Sequence, residues 1–264
     1  MIEDTTLGPA VPELGWVPAP RYLMRRARIL RLLERMTPGR LLEVGPGAGM
    51  LLLEAARRGF SVHALEASDE ARELMKSIFA QDHRNVVTRS EPEPSWAGQF
   101  DTLFAFDVLE HIENDGDALR QWHKWLVPEG TLLLSVPAHA QLWSAGDVWA
   151  GHWRRYERAP LMALLEANGF AIEHFECYGY PLTNLSERLS RQIYARRLEE
   201  RGAEKGSREH NNDRSGIDRG PLVRLYPMMR SVLGKSALAT ACLVQNLFVG
   251  TDMGSGYLVK ARRK

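Results

Sequence analysis

The sequence predicts an α/β fold with a mostly parallel, seven-stranded sheet, and three observations carry that prediction. Apolar runs of strand length alternate with helical periodicity from Leu41 to Val136. Turn residues stand between them, as at Pro128-Glu129-Gly130. The strand–helix order repeats, and right-handed crossovers turn such a repeat into a parallel sheet covered by helices on both faces.

Each element has its own signal. Pro9, Pro12, Pro18 and Pro20 predict an irregular amino-terminal arm. Tyr22 to Met36 reads as a basic amphipathic helix, with Leu23, Ala27, Leu30 and Leu33 at helical spacing. Arg25, Arg26, Arg28 and Arg31 around them are expected to be solvated. Leu41 to Val44 form a buried strand, and Gly45, Gly47 and Gly49 then permit a tight turn without Cβ clashes. A helix begins at Met50, its free amides facing a ligand. A second strand runs to Glu66, with a helix starting near Ser68-Asp69, and a third covers Asn85 to Thr88. The fourth strand and its mouth fall in Gln99–Ile112. Asp115 to Leu126 is helical, with Leu119, Trp122 and Leu126 near one face, and Thr131 to Val136 is the fifth strand. Ala159 to Gly169 reads as a helix ending at glycine, and Phe170 to Tyr178 alternates as a sixth strand.

After Pro181 the pattern changes. Leu182 to Arg201 is helical and arginine-rich, Gly202 to Gly220 is polar and expected to be mobile, and Pro221 to Val249 is apolar. Gly256 to Ala261 forms the last strand. Residues 181–253 are therefore a helical insertion before the last strand, within a single domain spanning 1–264.

At 264 residues with 44% hydrophobic content, the chain buries one full core. A net charge of +1 supplies no basic field for nucleic acid, so no nucleic-acid partner is expected. Cys177 and Cys242 are far apart, form no disulfide framework and lack metal spacing, so no metal is assigned and a reducing cytoplasm suits them. The amino terminus lacks a basic-then-apolar signal arrangement, and the apolar Ser236–Gly250 is too short to span a bilayer.

The glycine loop narrows the ligand. A dinucleotide fingerprint needs a third glycine where this chain has Met50, and Glu43 would stand beside an anionic pyrophosphate. An acid there suits a cationic ligand. Glu43-Val44-Gly45-Pro46-Gly47-Ala48-Gly49 resembles the first motif, E/D-x-G-x-G-x-G, of the Rossmann-like class I S-adenosylmethionine-dependent methyltransferases. The likeness runs from about Tyr22 to Tyr178 and more weakly through the last strand, and Phe100-Asp101 with Leu109-Glu110-His111 adds the family's FD…LEH pattern.

The resemblance implies S-adenosylmethionine as cofactor and transfer of its methyl group to an O, N or C nucleophile of a small, hydrophobic or natural-product-like acceptor. It places Tyr22, Glu43, Gly45, Pro46, Gly47 and Gly49 around the cofactor, with Glu66 and Ala67 at its ribose. A strand-end carboxylate capping the next helix is the alternative for Glu66, and the resemblance favours the ligand. Ser90 or Glu91 would meet the adenine, and Phe106, Asp107 and Val108 the methionine end, with His111 behind as either a functional or a packed histidine.

The acceptor is expected along Pro137 to Tyr156, which follows the fifth strand at the carboxyl edge of the sheet, where such folds bind ligands. His139, Trp143, Trp149, His152, Arg155 and Tyr156 are its expected wall. Gly151-His152-Trp153-Arg154-Arg155-Tyr156 is also similar to a signature recurring in a bacterial branch of these enzymes, so a hinge role stands beside a catalytic one. If the acceptor is a hydroxyl, His152 first, or His111 or His139, would take its proton. The insertion reads as a cap over this pocket, a homodimer surface or a membrane-interface contact. Two other functions fit less of the sequence: a non-catalytic cofactor-binding partner subunit and an NAD-dependent oxidoreductase.

Overall fold

The computed structural model describes residues 1–200 and 220–264. The stretch expected to be mobile, apart from Gly220, lies outside the described residues. Seven strands form one sheet: β1 (Arg40–Val44), β2 (Ser61–Leu65), β3 (Val87–Arg89), β4 (Phe100–Phe106), β5 (Leu126–Pro137), β6 (Phe170–Tyr178) and β7 (Gly256–Arg263). Their order is β3-β2-β1-β4-β5-β7-β6. The pairs among β1 to β5 are all parallel, and β7 runs antiparallel between β5 and β6. This is the mostly parallel, seven-stranded α/β sheet the sequence predicts.

Burial on both faces explains why these strands read as unbroken apolar runs. Leu41, Phe104, Leu133 and Leu258 turn to one face, and Leu42, Leu103, Leu132, Leu134 and Val259 to the other. The first face is covered by α1 (Pro20–Leu33), α2 (Met50–Arg57) and α3 (Asp69–Gln81), through residues such as Met24, Leu52 and Ile78. α4 (Asp115–Trp125) and α6 (Arg158–Ala167) cover the second, through Leu119, Trp122, Leu161 and Leu165. α5 (Ala145–Ala150) follows β5. Between β6 and β7 stand α7 (Leu182–Glu200), α8 (Gly220–Arg230) and α9 (Val232–Gln245).

Several boundaries differ from expectation. β3 is Val87–Arg89, two residues later at its start than the predicted strand and short because it lies at the sheet edge. β5 begins at Leu126, so Pro128-Glu129-Gly130 lies inside the strand, beside a register irregularity opposite β4. The apolar Pro221–Val249 divides at Ser231, whose hydroxyl accepts from the Gly234 N–H and caps α9.

Of the four arginines of α1 expected to be solvated, Arg31 is exposed and the other three turn inward. Arg28 is 8% exposed and donates twice to the buried Glu176, at 2.8 Å each. Arg26 pairs with Glu54, and Arg25 with Asp107. Carboxylates on α2, on β6 and after β4 face this helix, so its guanidiniums turn inward while their methylene stems pack on the core.

Candidate active site

A cavity of about 820 Å³ opens at the carboxyl edge of β1, β2 and β4, in the size range of small-molecule sites. β1 ends at Val44 and the chain turns through Gly45 at φ 62° and Gly49 at φ 70°, backbone that side chains rarely adopt. Space is short as well: a Cβ on Gly45 would lie 2.8 Å from Val108, and one on Gly49 2.6 Å from Met75. Glycine thus lets this loop sit against the turn after β4 and against α3. The Gly47 N–H donates to Glu66 Oε2 at 2.9 Å, and the Ser68 N–H to Glu66 Oε1 at 3.0 Å, so two backbone amides orient this carboxylate at the cavity wall.

Glu43 lies deeper. It is 3% exposed, and its Oε2 has no hydrogen-bond partner among the described residues. Burial pushes its carboxyl up to about 8, although the Arg25 guanidinium opposes this. A buried, unsatisfied carboxylate oxygen is costly, and a cationic ligand group would relieve it. Tyr22, beside it on α1, also faces the cavity and stacks edge-on against Trp16 at 5.3 Å.

At the other end, β4 finishes at Phe106 and Asp107 turns at φ 55°, unusual for a residue with a side chain. Burial disfavours its charge, yet Arg25 at 2.5 Å and Arg21 at 3.7 Å hold its carboxyl down at about 2. Arg21 also reaches Glu187 of α7 at 3.0 Å, tying α1 to the insertion. Behind Asp107, a single 3-10 turn carries Glu110 and His111. Glu110 is fully buried, and burial together with the Asp107 charge raises its carboxyl well above the usual range. Burial and the neighbouring His152 bring His111 down to about 4, so it is neutral at pH 7.

His152 reaches the same place from the loop after α5, its ring 4.7 Å from that of His111. The Trp153 N–H donates to the Glu110 carbonyl at 2.8 Å, which fixes the two loops together. Asp147 lies within hydrogen-bond distance of His152 Nδ1 at 3.0 Å and accepts from Arg155 Nε at 2.8 Å. Arg155 in turn meets Glu187.

The cavity thus brings together Tyr22, Glu43, Gly45, Pro46, Gly47, Gly49, Glu66, Ala67, Ser90, Phe106, Asp107, Val108 and His111 of the expected cofactor residues. Trp149, His152 and Arg155 of the expected acceptor wall join them. The remaining sequence-picked residues do not line it. Glu91 lies on the exposed loop past Ser90. Trp143 is 41% exposed, beyond the short helical turn after β5. Tyr156 is buried under the site, its hydroxyl within hydrogen-bond distance of Asp115 at 3.1 Å and of the Leu109 carbonyl at 3.3 Å, so it braces the 3-10 turn. His139 adopts φ 63°, and its ring points away to Tyr257, 3.5 Å from Nδ1, and to Cys177. It cannot serve as base for a ligand in this cavity. In the Gly151–Tyr156 string, His152 and Arg155 face the cavity, while Arg154 and Tyr156 fasten the loop to Asp115. Arg21, Arg25, Glu110, Asp147, Ser186, Glu187, Ser190, Tyr194 and Leu222 also line the cavity and were not singled out as site residues from sequence, since the fold brings them from α1, the turn after β4, α5, α7 and α8 to one place.

A ubiquinone biosynthesis O-methyltransferase from Caulobacter sp. (strain K31) is 31% identical over 101 residues, 37% of this chain and 40% of the relative. The chain therefore matches less than half the length of that relative. An S-adenosylmethionine-dependent methyltransferase from Mesorhizobium loti has a similar structure, with a TM-score of 0.55 at 16% identity over 93% of this chain and 98% of that one. The Haemonchus contortus phosphoethanolamine N-methyltransferase 2, in complex with S-adenosyl-L-methionine, gives 0.54 at 16% identity over 90% of this chain and 52% of that one. A family described as a methyltransferase domain matches residues 19–175, more than half of the chain, and the protein belongs to that family.

Proposed function

We propose that this protein transfers the methyl group of S-adenosylmethionine to an oxygen of a small-molecule acceptor. One observation carries the reading: a single cavity joins the glycine loop, Glu43 and Glu66 at one end to Glu110, His111 and His152 at the other. The cofactor supplies an electrophilic methyl on a sulfonium. Glu43, buried with an unsatisfied oxygen, meets a ligand cation, and Glu66, held by two amides, accepts from vicinal hydroxyls. Tyr22 and Trp16 cover that end.

Acceleration then comes chiefly from holding the acceptor oxygen in line with the methyl and excluding water. Trp149, Tyr194 and Leu222 supply the apolar wall for that. His152, oriented by Asp147, stands ready to take the hydroxyl proton on Nε2. The names of the curated relatives support oxygen as the accepting atom.

The chain 1–264 acts as one domain, and residues 181–253 act as a cap, because Ser186, Glu187, Ser190, Tyr194 and Leu222 from this segment face the cavity. A homodimer would use the apolar side chains exposed on α7 and α9, such as Leu189 and Leu233, and sedimentation velocity measures it. No described helix is long and apolar enough to cross a membrane, and the unpaired Cys177 and Cys242 suit a reducing cytoplasm.

The test is thermal stabilisation by S-adenosylmethionine and S-adenosylhomocysteine, followed by mass-spectrometric detection of S-adenosylhomocysteine formed with phenol, enol and amine acceptors. Stabilisation by NAD with none by S-adenosylmethionine would overturn the proposal.

A further inference from the structure

We propose that Glu110, His111 and His152 bind a divalent cation at the acceptor end of the cavity. Each offers one donor atom, and these atoms all lie within 4.8 Å of one another. The role of the ion in catalysis rests on the methyl-transfer reading above, but its binding does not.

Unmet polar atoms point to a ligand. Both carboxylate oxygens of Glu110, at 0% exposure, lack a hydrogen-bond partner among the described residues, and so does His111 Nδ1. His152 Nε2 stands 3.9 Å from Glu110 Oε1, too far for a hydrogen bond. Buried polar groups are ordinarily satisfied, and here three orphaned atoms share one corner of a cavity.

The surroundings have the form of a metal site. Metal-binding histidines commonly present one ring nitrogen to a carboxylate, which fixes the tautomer and turns the other nitrogen to the ion. His152 does this: Nδ1 faces Asp147 at 3.0 Å, while Nε2 faces Glu110. Asp147 is itself held by the Ser144 N–H at 2.8 Å and by Arg155 at 2.8 Å. Charge also permits a dication. With Glu110 held as the anion by the metal, the carboxylates of Asp107, Glu110, Asp147 and Glu187 outnumber the guanidiniums of Arg21, Arg25 and Arg155.

Two imidazoles and a carboxylate suit zinc, iron(II), manganese or cobalt, and three protein ligands leave coordination positions open to the cavity. Metal–ligand bonds of about 2.0–2.2 Å put tetrahedral donors roughly 3.4 Å apart, so side-chain rotations of about an ångström close the set. With the ion bound, His152 Nε2 is a ligand and no longer the proton acceptor of the ion-free site, and an acceptor hydroxyl placed on the ion gives its proton to solvent near neutral pH, as metal-bound water does. The oxygen then attacks the methyl carbon. The O–C bond forms as the C–S bond breaks, the electron pair stays on sulfur, and the products are a methyl ether, S-adenosylhomocysteine and the released proton. The substrate class that follows is a small molecule with an ionisable hydroxyl and a neighbouring oxygen able to chelate.

The test titrates chelator-stripped protein with Zn²⁺ by calorimetry and with Co²⁺ by visible absorption. We expect one ion per chain, and affinity lowered by about tenfold or more in Glu110→Gln and in His152→Asn, with Asp147→Asn lower by about 10- to 100-fold. S-adenosylhomocysteine binding should stay within about threefold in each variant, which separates loss of the ion site from loss of the fold. No saturable binding by the wild type, or equal binding by all variants, overturns the proposal. Ion binding by a wild type that fails to bind S-adenosylhomocysteine would instead sink the methyl-transfer reading and leave the ion site standing.

Discussion

Cofactor binding should expel a proton from Glu43, and its size follows from the structure. With its carboxyl at about 8, roughly nine tenths of the Glu43 side chains are protonated at pH 7. The sign follows from linkage. A folded-state pKa raised above the free value stabilises the fold at pH values below that free value, and the contribution is lost as pH rises through about 8. A ligand cation beside Glu43 reverses the preference, since it needs the carboxylate. If bound ligand returns Glu43 to its ordinary range, affinity should tighten by about 75-fold between pH 5.5 and 7.5, roughly 2.5 kcal/mol. That window stays below the α-amino pKa of the ligand itself, about 8. Calorimetric titration with S-adenosylhomocysteine in buffers of different ionisation enthalpy reads the proton count directly. The wild type should release about 0.9 proton at pH 7, and Glu43→Gln close to none, with a flat pH profile and weaker binding at pH 7.5. Equal proton release by the two proteins would refute the placement of a ligand cation at Glu43.

Three further outcomes follow from particular contacts. Glu66→Ala removes the acceptor for the Gly47 and Ser68 amides as well as any ligand hydroxyls, and should weaken S-adenosylhomocysteine binding by about 10- to 100-fold in calorimetry. Arg28→Met leaves buried Glu176 with only His174, at 2.9 Å, and should cost about 3 kcal/mol in urea unfolding; a loss below about 1 kcal/mol would mean the pair is not buried as described. Tyr194→Ala opens the wall beside Trp149, whose ring lies 6.2 Å away, and should raise the acceptor KM several-fold while S-adenosylhomocysteine affinity stays within about twofold. A change confined to cofactor affinity would place α7 over the wrong ligand.

The cofactor end of the site was legible in the sequence because its parts are local. A strand, three alternate glycines and a helix start fall within Leu41–Met50, and an acid closes the next strand, so spacing alone carries the geometry. The acceptor end was not, and the reason is connectivity. His139 and His152 look alike as histidines in one loop, but the backbone at His139 turns its ring to Tyr257, while Asp147 turns His152 toward Glu110. Nothing in residue type distinguishes the two before the loop is folded. Arg25, Arg26 and Arg28 failed as a solvated face for a related reason. A charge run is solvated unless carboxylates meet it, and Glu54, Asp107 and Glu176 come from three separate elements. Glu110 stands at the limit of sequence reading. As part of Leu109-Glu110-His111 it is visible as a motif, yet the 40 residues between His111 and His152 hide that the motif lacks a partner until that loop closes on it. Its unsatisfied carboxylate can be recognised only in three dimensions, where a cost in stability without a compensating contact points to a ligand.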